Sequence, residues 1–326
     1  MNVLVTGANG LLGHHVVMEL LKNQHVVHIL VRSKQKIYFD LNSITLFEGD
    51  FTDTECLTRA AVGCEAIIHI AAVTDTRLLH ADDYRTVNVK GVAQIIQVAN
   101  ISGIKKIVYI SSANTVGYGT EQQLADERFT IQYPFTESFY AQSKSEAEKI
   151  VIEASQKPEQ HNVIINPTFM LGAYDTKPGS GRLLLIGYKQ KVLFIPKGGK
   201  NFVDVRKVAI AACNALTLGR NGERYLASGI NLSFKEYYTL QKQVGNYSQK
   251  IFVLPDFLLI LIGVTGDVLR KAGIKTEVCS MNLRQLMIHE YYSNKKAKTE
   301  LNLPDTNLKV VIKETIDWFT MMKYIK

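Results

Sequence analysis

Residues 2–15 read NVLVTGANGLLGHH, an apolar run followed by three spaced glycines and then a helical pattern. Gly7 allows a tight turn after a strand, Gly10 lets a ligand approach the backbone, and Gly13 lets the next helix pack closely on the strand. Free N–H groups at such a helix start bind phosphate oxygens. The stretch predicts the first strand and helix of a dinucleotide-binding α/β fold, and the alternative is a glycine-rich turn without a ligand.

Strand-like and helical patterns alternate over the first two-thirds of the chain. The predicted strands are Asn2–Thr6, Val26–Val31, Ile44–Glu48, Ala66–Ile70, Ile107–Ser111 and Val163–Ile165. Several are almost wholly apolar, which indicates a parallel sheet covered on both faces. The alternation predicts a doubly wound α/β fold, with a dinucleotide-binding (Rossmann) domain over residues 1–168 that residues 201–229 complete. Residues 169–200 and 230–326 are expected to form a smaller, mixed substrate-binding domain.

The end of the second predicted strand, in HVVHILVRSKQK (25–36), bears on the choice of nicotinamide cofactor. An acid there would hydrogen-bond the adenosine ribose, whereas a cation would bind a 2′-phosphate. Arg32 and Lys34 occupy this place, and the only acid between His14 and Phe39 is Glu19, which belongs to the first helix. A guanidinium offers a fork that matches phosphate oxygens. The sequence favours NADP over NAD, and the alternative is a solvated basic loop.

The bulk composition is that of an ordinary globular protein. The net charge of +8 favours anionic ligands, but the basic residues are spread out and no nucleic-acid-binding motif is present, so nucleic acid is not an expected partner. Neither zinc-like nor redox-motif spacing relates the cysteines, which are Cys56, Cys64, Cys213 and Cys279. We therefore expect reduced thiols, no metal site and, because no signal-peptide pattern opens the chain, a cytoplasmic protein.

The most apolar window is FLLILIGVTGDVL (257–269). It is too short to span a membrane, and Asp267 interrupts it. We expect a helix in the core or beside a substrate pocket, and the alternative is a helix on a membrane surface.

Tyr140 and Lys144, in ESFYAQSKSEAEKI, stand four residues apart and therefore share one face of a predicted helix. A free phenol has a pKa of about 10, which is too high for efficient proton exchange near neutrality. A neighbouring cation favours the phenolate and lowers that pKa. The pair is either a catalytic acid with a shifted pKa and its neighbouring cation, or two ordinary surface residues. Motifs elsewhere in the chain are needed to distinguish the two.

With TGANGLLG (6–13), SSANTV (111–116) and YAQSK (140–144) in this order, the chain resembles the extended short-chain dehydrogenase/reductase family over most of its length. The resemblance implies Ser112, Tyr140 and Lys144 as catalytic residues, with Ser111 as the other candidate serine. Together with the basic loop, it implies a cofactor site made of Gly7, Asn9, Gly10, Leu11, Leu12, Arg32, Lys34, Asp50, Phe51, Ala71, Ala72, Val73, Asn88, Tyr140, Lys144, Pro167 and Thr168.

Three parts of this set have distinct roles in the family. Asp50 falls where the family places an aspartate against adenine, and His69–Ala72 looks like the segment that passes along the cofactor. Asn88 occupies the position of an asparagine that is chiefly structural in extended members. His69 itself is expected to be a packed strand residue.

Departures from the family pattern narrow the branch. Ala113-Asn114 stands where sugar-nucleotide dehydratases carry an Asp-Glu pair, and Asn166 and Phe169 replace the Arg and Asn that are typical of sugar-nucleotide epimerases. The segment HEYYSNKKAKTELNL (289–303) is similar to the dihydroflavonol-4-reductase-like branch of the NAD-dependent epimerase/dehydratase superfamily.

The resemblance implies an NADP(H)-dependent oxidoreductase for a small-molecule carbonyl or alcohol. Hydride transfer would be coupled to a proton from Tyr140, Lys144 would hold the nicotinamide ribose, and Ser112 would bind the substrate oxygen. The alternatives are a sugar or sugar-nucleotide epimerase and a non-catalytic NADP sensor; the presence of both Tyr140 and Lys144 counts against the sensor. The family also implies a homodimer, paired through Asp83–Ile101 and Phe139–Ser155.

Overall fold

A computed structural model describes residues 1–325. The strands in this range are β1 (Asn2–Thr6), β2 (Val26–Val31), β3 (Thr45–Glu48), β4 (Ala66–His69), β5 (Lys106–Ile110), β6 (His161–Pro167), β7 (Phe169–Leu171), β8 (Val192–Ile195), β9 (Gly199–Asp204), β10 (Arg224–Ala227), β11 (Ile230–Ser233), β12 (Lys250–Val253) and β13 (His289–Glu290).

The α-helices are α1 (Leu11–Lys22), α2 (Thr54–Ala61), α3 (Ala81–Tyr84), α4 (Gly91–Ile101), α5 (Phe139–Ser155), α6 (Arg182–Gly187), α7 (Val205–Leu218), α8 (Phe234–Val244), α9 (Asp256–Lys271), α10 (Ser280–Met287), α11 (Lys295–Leu301) and α12 (Leu308–Met321). A π-helical turn, Arg85–Lys90, joins α3 to α4.

The central sheet has seven strands in the order β10-β6-β5-β4-β1-β2-β3, and every neighbouring pair is parallel. From β1 the chain winds outward to β3 and then returns to continue on the other side with β4. The crevice at the carboxyl ends of β1 and β4 is therefore the topological switch point, where α/β sheets bind their ligands. The predicted doubly wound α/β fold is confirmed, although β6 is longer than its predicted core, Val163–Ile165.

β1 shows why these strands are so apolar. Val3 and Val5 join the core formed with α1 and α7, whereas Leu4 between them joins the core formed with α2, α4 and α5. Successive strand residues point to opposite faces, so a sheet covered on both sides buries every one of them.

A smaller mixed sheet lies around β9, which pairs antiparallel with β11 and parallel with β13 and β7. β8 and β12 form a separate parallel pair. Phe202 of β9 stacks on Tyr237 of α8 with ring centroids 4.4 Å apart, and Phe319 of α12 belongs to the same core. This core is built from side chains C-terminal to β6 and borders the site described below.

The helix predicted from residues 257–269 forms as α9, but the prediction that it lies in the core is wrong. Gly263 and Gly266 face the protein, and Phe257, Leu261 and Val268 are more than half exposed. Among residues 1–325, no helix combines the length and the apolar character needed to cross a membrane.

Candidate active site

The glycine-rich turn connects β1 to α1 in a geometry that requires glycine. Gly7 has a φ of +74°, and a Cβ there would lie 2.8 Å from the Ala71 backbone nitrogen. A Cβ on Gly13 would lie 2.1 Å from the Gly7 carbonyl oxygen. The turn therefore brings the start of α1 close to both β1 and the segment after β4.

The start of α1 has no side-chain cap. Gly10 is the capping residue, and its exposed backbone leaves the first-turn N–H groups of Leu11 and Leu12 open to an anion. The Leu12 side chain is buried in the core, so only its backbone is available. Asn9 donates from Nδ2 to the Ser33 carbonyl oxygen at 3.4 Å, which ties the turn to the loop after β2.

The loop after β2 presents its cations to solvent. Arg32 is exposed, and its guanidinium forms no hydrogen bond or ion pair within the part of the chain that the structure describes. Lys34 is exposed as well, and its backbone N–H donates to Glu48 at 3.0 Å. An unpaired guanidinium beyond the glycine turn fits a phosphate group on the adenosine ribose.

Asp50 and Phe51 follow β3 at the same end of the sheet. Asp50 accepts from the Thr52 backbone at 2.9 Å and from its hydroxyl at 2.8 Å through one carboxylate oxygen. Phe51 is buried against Gly91, where a Cβ would lie 2.6 Å from the ring. Asp50 therefore presents a fixed carboxylate beside the crevice.

Asn88 holds the segment that contains Ala71, Ala72 and Val73. Its side-chain oxygen accepts from the Val73 N–H at 2.8 Å, and its nitrogen donates to the Val73 carbonyl at 3.0 Å. The same nitrogen donates to the Ser143 hydroxyl of α5 at 3.0 Å. Asn88 thus links this segment to the helix that carries Tyr140, and the open helix start, the glycine cradle and this segment together fit a dinucleotide.

His69 is a packed strand residue, as expected from the sequence. It is buried, and its Nδ1 lies 2.8 Å from the Thr6 hydroxyl. Burial lowers the pKa of the imidazole to about 3, with a smaller contribution from Lys144. Residues 1–325 contain no cluster of His, Cys, Asp and Glu side chains suited to a metal ion.

Tyr140 and Ser112 line the same cavity, which has a volume of about 750 Å³. Ser111, in contrast, is buried, which makes Ser112 the better placed of the two candidate serines. Burial raises the pKa of the Tyr140 phenol, and a hydrogen bond with Ser112 lowers it by less. The expectation that Lys144 lowers the phenol pKa of Tyr140 is therefore wrong.

The surroundings of Lys144 explain why the phenol pKa of Tyr140 is not lowered. Its side chain is buried, its Nζ donates to the Ile110 carbonyl oxygen at 2.6 Å, and it lies 4.4 Å from the centroid of the Tyr109 ring. Burial lowers the pKa of Lys144 to about 7, while the nearby Glu148 raises it. The ammonium is thus engaged by β5, and it is only partly protonated near neutrality.

A buried polar network beneath the cavity was missed by the sequence reasoning. Asn166 donates from Nδ2 to Glu148 at 2.6 Å and to the Ser112 carbonyl oxygen at 3.0 Å. The Thr115 hydroxyl lies 2.7 Å from the same carboxylate, and Arg224 is 3.5 Å from its other oxygen. Glu148 follows Lys144 by four residues, so the helical spacing that singled out Tyr140 could also have found it.

Pro167 ends β6 and Thr168 follows it, and both line the wall of the cavity. Thr168 donates to the Asn201 side chain at 2.7 Å, which connects the central sheet to β9. The sequence did not indicate the charged pairs that also line the wall, which are Asp75–Arg77, Arg182–Glu277 and Lys200–Glu290. The wall of the cavity thus carries several charged side chains, and most of them are paired with one another.

Comparisons with known proteins agree with this geometry. A model of the 3-beta hydroxysteroid dehydrogenase/isomerase family matches residues 4–192. A putative dihydroflavonol 4-reductase of Synechocystis sp. is 28% identical, with 99% of this chain and 95% of the relative covered. Sterol demethylase protein B of Methylococcus capsulatus is 26% identical, with 98% of each chain covered. The crystal structure of gox2253 superposes with a TM-score of 0.86 at 25% identity, and 99% of each chain is covered.

Proposed function

The chain belongs to the 3-beta hydroxysteroid dehydrogenase/isomerase family, which confirms the resemblance to the extended short-chain dehydrogenases/reductases, and we propose that it reduces a ketone or an aldehyde to an alcohol with NADPH. The curated proteins that it matches include reductases and a dehydrogenase by name. The observation that carries the proposal is the pair of hydroxyl groups, Ser112 and Tyr140, in one cavity beside the buried Lys144.

The side chains divide the work in a way that suits reduction. When bound, the nicotinamide cofactor supplies the hydride. Tyr140 stays protonated near neutrality because burial raises the pKa of its phenol, so it is ready to donate a proton to the forming alkoxide. Ser112 hydrogen-bonds the same oxygen and thereby fixes the carbonyl in the cavity.

Lys144 acts on the cofactor and on the proton donor. Its ammonium, when protonated, binds the ribose hydroxyls and stabilises the phenolate that Tyr140 becomes after donating its proton. The carboxylate of Glu148 favours the charged lysine, and it also holds Asn166, which in turn holds the Ser112 carbonyl oxygen. The network thus supports two of the three reacting side chains.

A substrate screen tests the reaction class. Purified protein is mixed with NADPH or NADH and a panel of ketones, aldehydes and sugar nucleotides, and the nicotinamide absorbance is followed. We expect NADPH oxidation with carbonyl compounds. Interconversion of a sugar nucleotide with no net change in absorbance would assign the protein to the epimerases instead.

Arg32 supports the choice of NADP. Its guanidinium is exposed and unpaired within residues 1–325, at the strand end where a 2′-phosphate binds in dinucleotide folds. We expect Arg32→Asp to weaken NADPH binding by about tenfold or more in titration calorimetry, because one charge-assisted bidentate contact contributes ~1.5–3 kcal/mol. Arg59→Asp, an exposed arginine of α2, is the control. Equal affinities of the starting protein for NADPH and NADH would refute the choice.

The remaining expectations stay proposals. We propose that residues 1–168 and 201–229 bind the cofactor, and that residues 169–200 and 230–326 bind the substrate. A homodimer through α4 and α5 rests on the family resemblance. Most apolar residues of α4 are buried, namely Val92, Ile95, Ile96, Val98 and Ala99, whereas Ile101 at its end is 66% exposed.

A further inference from the structure

α9 turns an apolar stripe towards solvent. Phe257, Leu261, Val264 and Val268 recur at the spacing of one helical face and are 67%, 61%, 48% and 63% exposed. Because α-helices rise 1.5 Å per residue, the stripe is about 17 Å long. Further exposed aliphatic side chains flank it, namely Ile260, Ile262 and Leu269.

The opposite face of α9 is the one that contacts the protein, and it is made of small residues. A Cβ on Gly263 would lie 2.8 Å from the Ser280 Cα, and a Cβ on Gly266 would lie 1.9 Å from the Val278 carbonyl oxygen. Leu259 is the only large aliphatic side chain of α9 that is buried among the described residues. This arrangement reverses the usual surface helix, whose large apolar residues face the core.

The strand pair that precedes α9 in the chain also exposes apolar side chains. Phe194 of β8 and Phe252 of β12 are register partners with ring centroids 5.8 Å apart, and they are 61% and 50% exposed. Val192 and Val253 on the same strands are also exposed. Large exposed apolar side chains in such numbers mark an interaction site.

The charges available around this surface are positive. Each acidic side chain of residues 250–278 has a partner within the protein. The pairs are Asp256–Lys197, Asp267–Ser280 and Glu277–Arg182. Lys250, Lys271 and Lys275 are exposed and take part in no ion pair within residues 1–325. An apolar face with free lysines at its borders matches the surface of a membrane that contains anionic lipids.

We propose that α9 and the exposed face of β8 and β12 form a docking surface for an anionic lipid membrane. Sixteen residues are too few to span a bilayer, so α9 would lie in the interface with its apolar stripe among the lipid headgroups and upper acyl chains. A second copy of the chain fits less well. A two-fold contact places the same patch against itself and would bring like-charged lysines together.

Docking would also bring the cavity close to the membrane. Arg270 of α9 donates to the carbonyl oxygens of Thr76 at 3.1 Å and Leu78 at 2.7 Å. Thr76 and Glu277, which follows α9, both line the cavity. The docking surface and the wall of the site are therefore parts of one connected unit.

Vesicle co-sedimentation of the full chain tests the proposal. We expect binding to vesicles of phosphatidylcholine mixed with phosphatidylglycerol, weaker binding to phosphatidylcholine alone, and a loss of binding as salt rises. Leu261→Ser should lower the partition coefficient by about tenfold, because it removes one large aliphatic side chain that would be buried in the membrane. Lys271→Gln should lower it by about fivefold.

The matched control is Val62→Ser, which changes an aliphatic residue of similar exposure (66%) at the end of α2 and should leave binding unchanged. Light scattering on the same variants shows whether a second copy of the chain, rather than a membrane, covers this surface. The proposal is overturned if the protein sediments with neither vesicle type, or if it forms a dimer that Leu261→Ser converts to monomer.

Discussion

α5 and α9 depart from the usual pattern of a surface helix in opposite directions. α5 buries charged side chains, Lys144 and Glu148, whereas α9 exposes large apolar ones such as Phe257 and Leu261. Burying a charge has a free-energy cost that only partners can offset, and exposing apolar surface has a smaller cost that a partner would remove. We propose that in both helices the departure marks a place where the molecule meets something else, a reacting substrate at α5 and a membrane at α9.

The largest expected effect comes from removing the buried cation of α5. Lys144→Met should reduce turnover by at least about 10³-fold and also weaken NADPH binding, because it removes the ribose contact and the charge that stabilises the Tyr140 phenolate. The free energy of unfolding should not fall, since methionine avoids the desolvation that lowers the pKa of Lys144. Calorimetry, kinetics and a denaturant titration on one preparation separate these effects. Lys149→Met, an exposed lysine of the same helix, is the control, and full activity in Lys144→Met would contradict the account.

Glu148→Gln tests the second buried charge of α5. It keeps an oxygen that accepts the hydrogen bonds of Asn166 and Thr115 and removes the negative charge. Glu148 raises the pKa of Lys144, so its neutralisation should lower that pKa below about 7. The alkaline limb of the kcat/KM profile, where the ammonium is lost, should then move to lower pH, with activity several-fold lower on the basic side. The other groups facing Lys144 do not titrate in this window: burial raises the pKa of Tyr109 and Tyr140 and lowers that of His69 to about 3.

A matched variant on the same helix isolates the effect of this charge. Glu146 is half-buried and pairs with Arg85 at 3.0 Å, so Glu146→Gln removes a carboxylate without touching the buried network. Its pH profile should be that of the starting protein. An unchanged profile in Glu148→Gln would show that the buried carboxylate does not control Lys144.

The smallest effect is expected for stability at α9. Leu261→Ser should change the free energy of unfolding by no more than about 0.5 kcal/mol, because the side chain is 61% exposed. Leu259→Ser on the same helix removes a buried side chain and should cost about 2–4 kcal/mol. Urea titrations measure both. A large loss in Leu261→Ser would mean that this residue is packed against the protein in solution.

The same comparison shows what the sequence could predict. Local backbone geometry could be predicted from the sequence, because Gly7 and Gly13 stand where any Cβ would clash with backbone atoms. The central strands are readable because burial on both faces leaves few polar residues in them. The helical spacing of Tyr140 and Lys144 was likewise sufficient to bring them to one helix.

Contacts between segments that are distant in the sequence could not be predicted from it. Asn166 reaches Ser112 across 54 positions, and nothing in its local sequence indicates that contact. The pKa of Tyr140 was expected to fall, but the Lys144 ammonium is held by Ile110 and burial dominates. α9 was misplaced because an apolar run reads the same whether protein or another partner covers it.

The central claim, that Tyr140 is the proton donor, is tested most directly by Tyr140→Phe, with turnover and NADPH affinity measured on the same protein. The change removes one oxygen and keeps the ring. Turnover should fall by about 10²–10⁴-fold, as expected for the loss of general acid catalysis, while NADPH affinity stays within about threefold. Tyr188→Phe, which removes a hydroxyl from a ring packed beside Tyr247, should leave both unchanged. Retention of most of the activity in Tyr140→Phe would contradict the proposed mechanism.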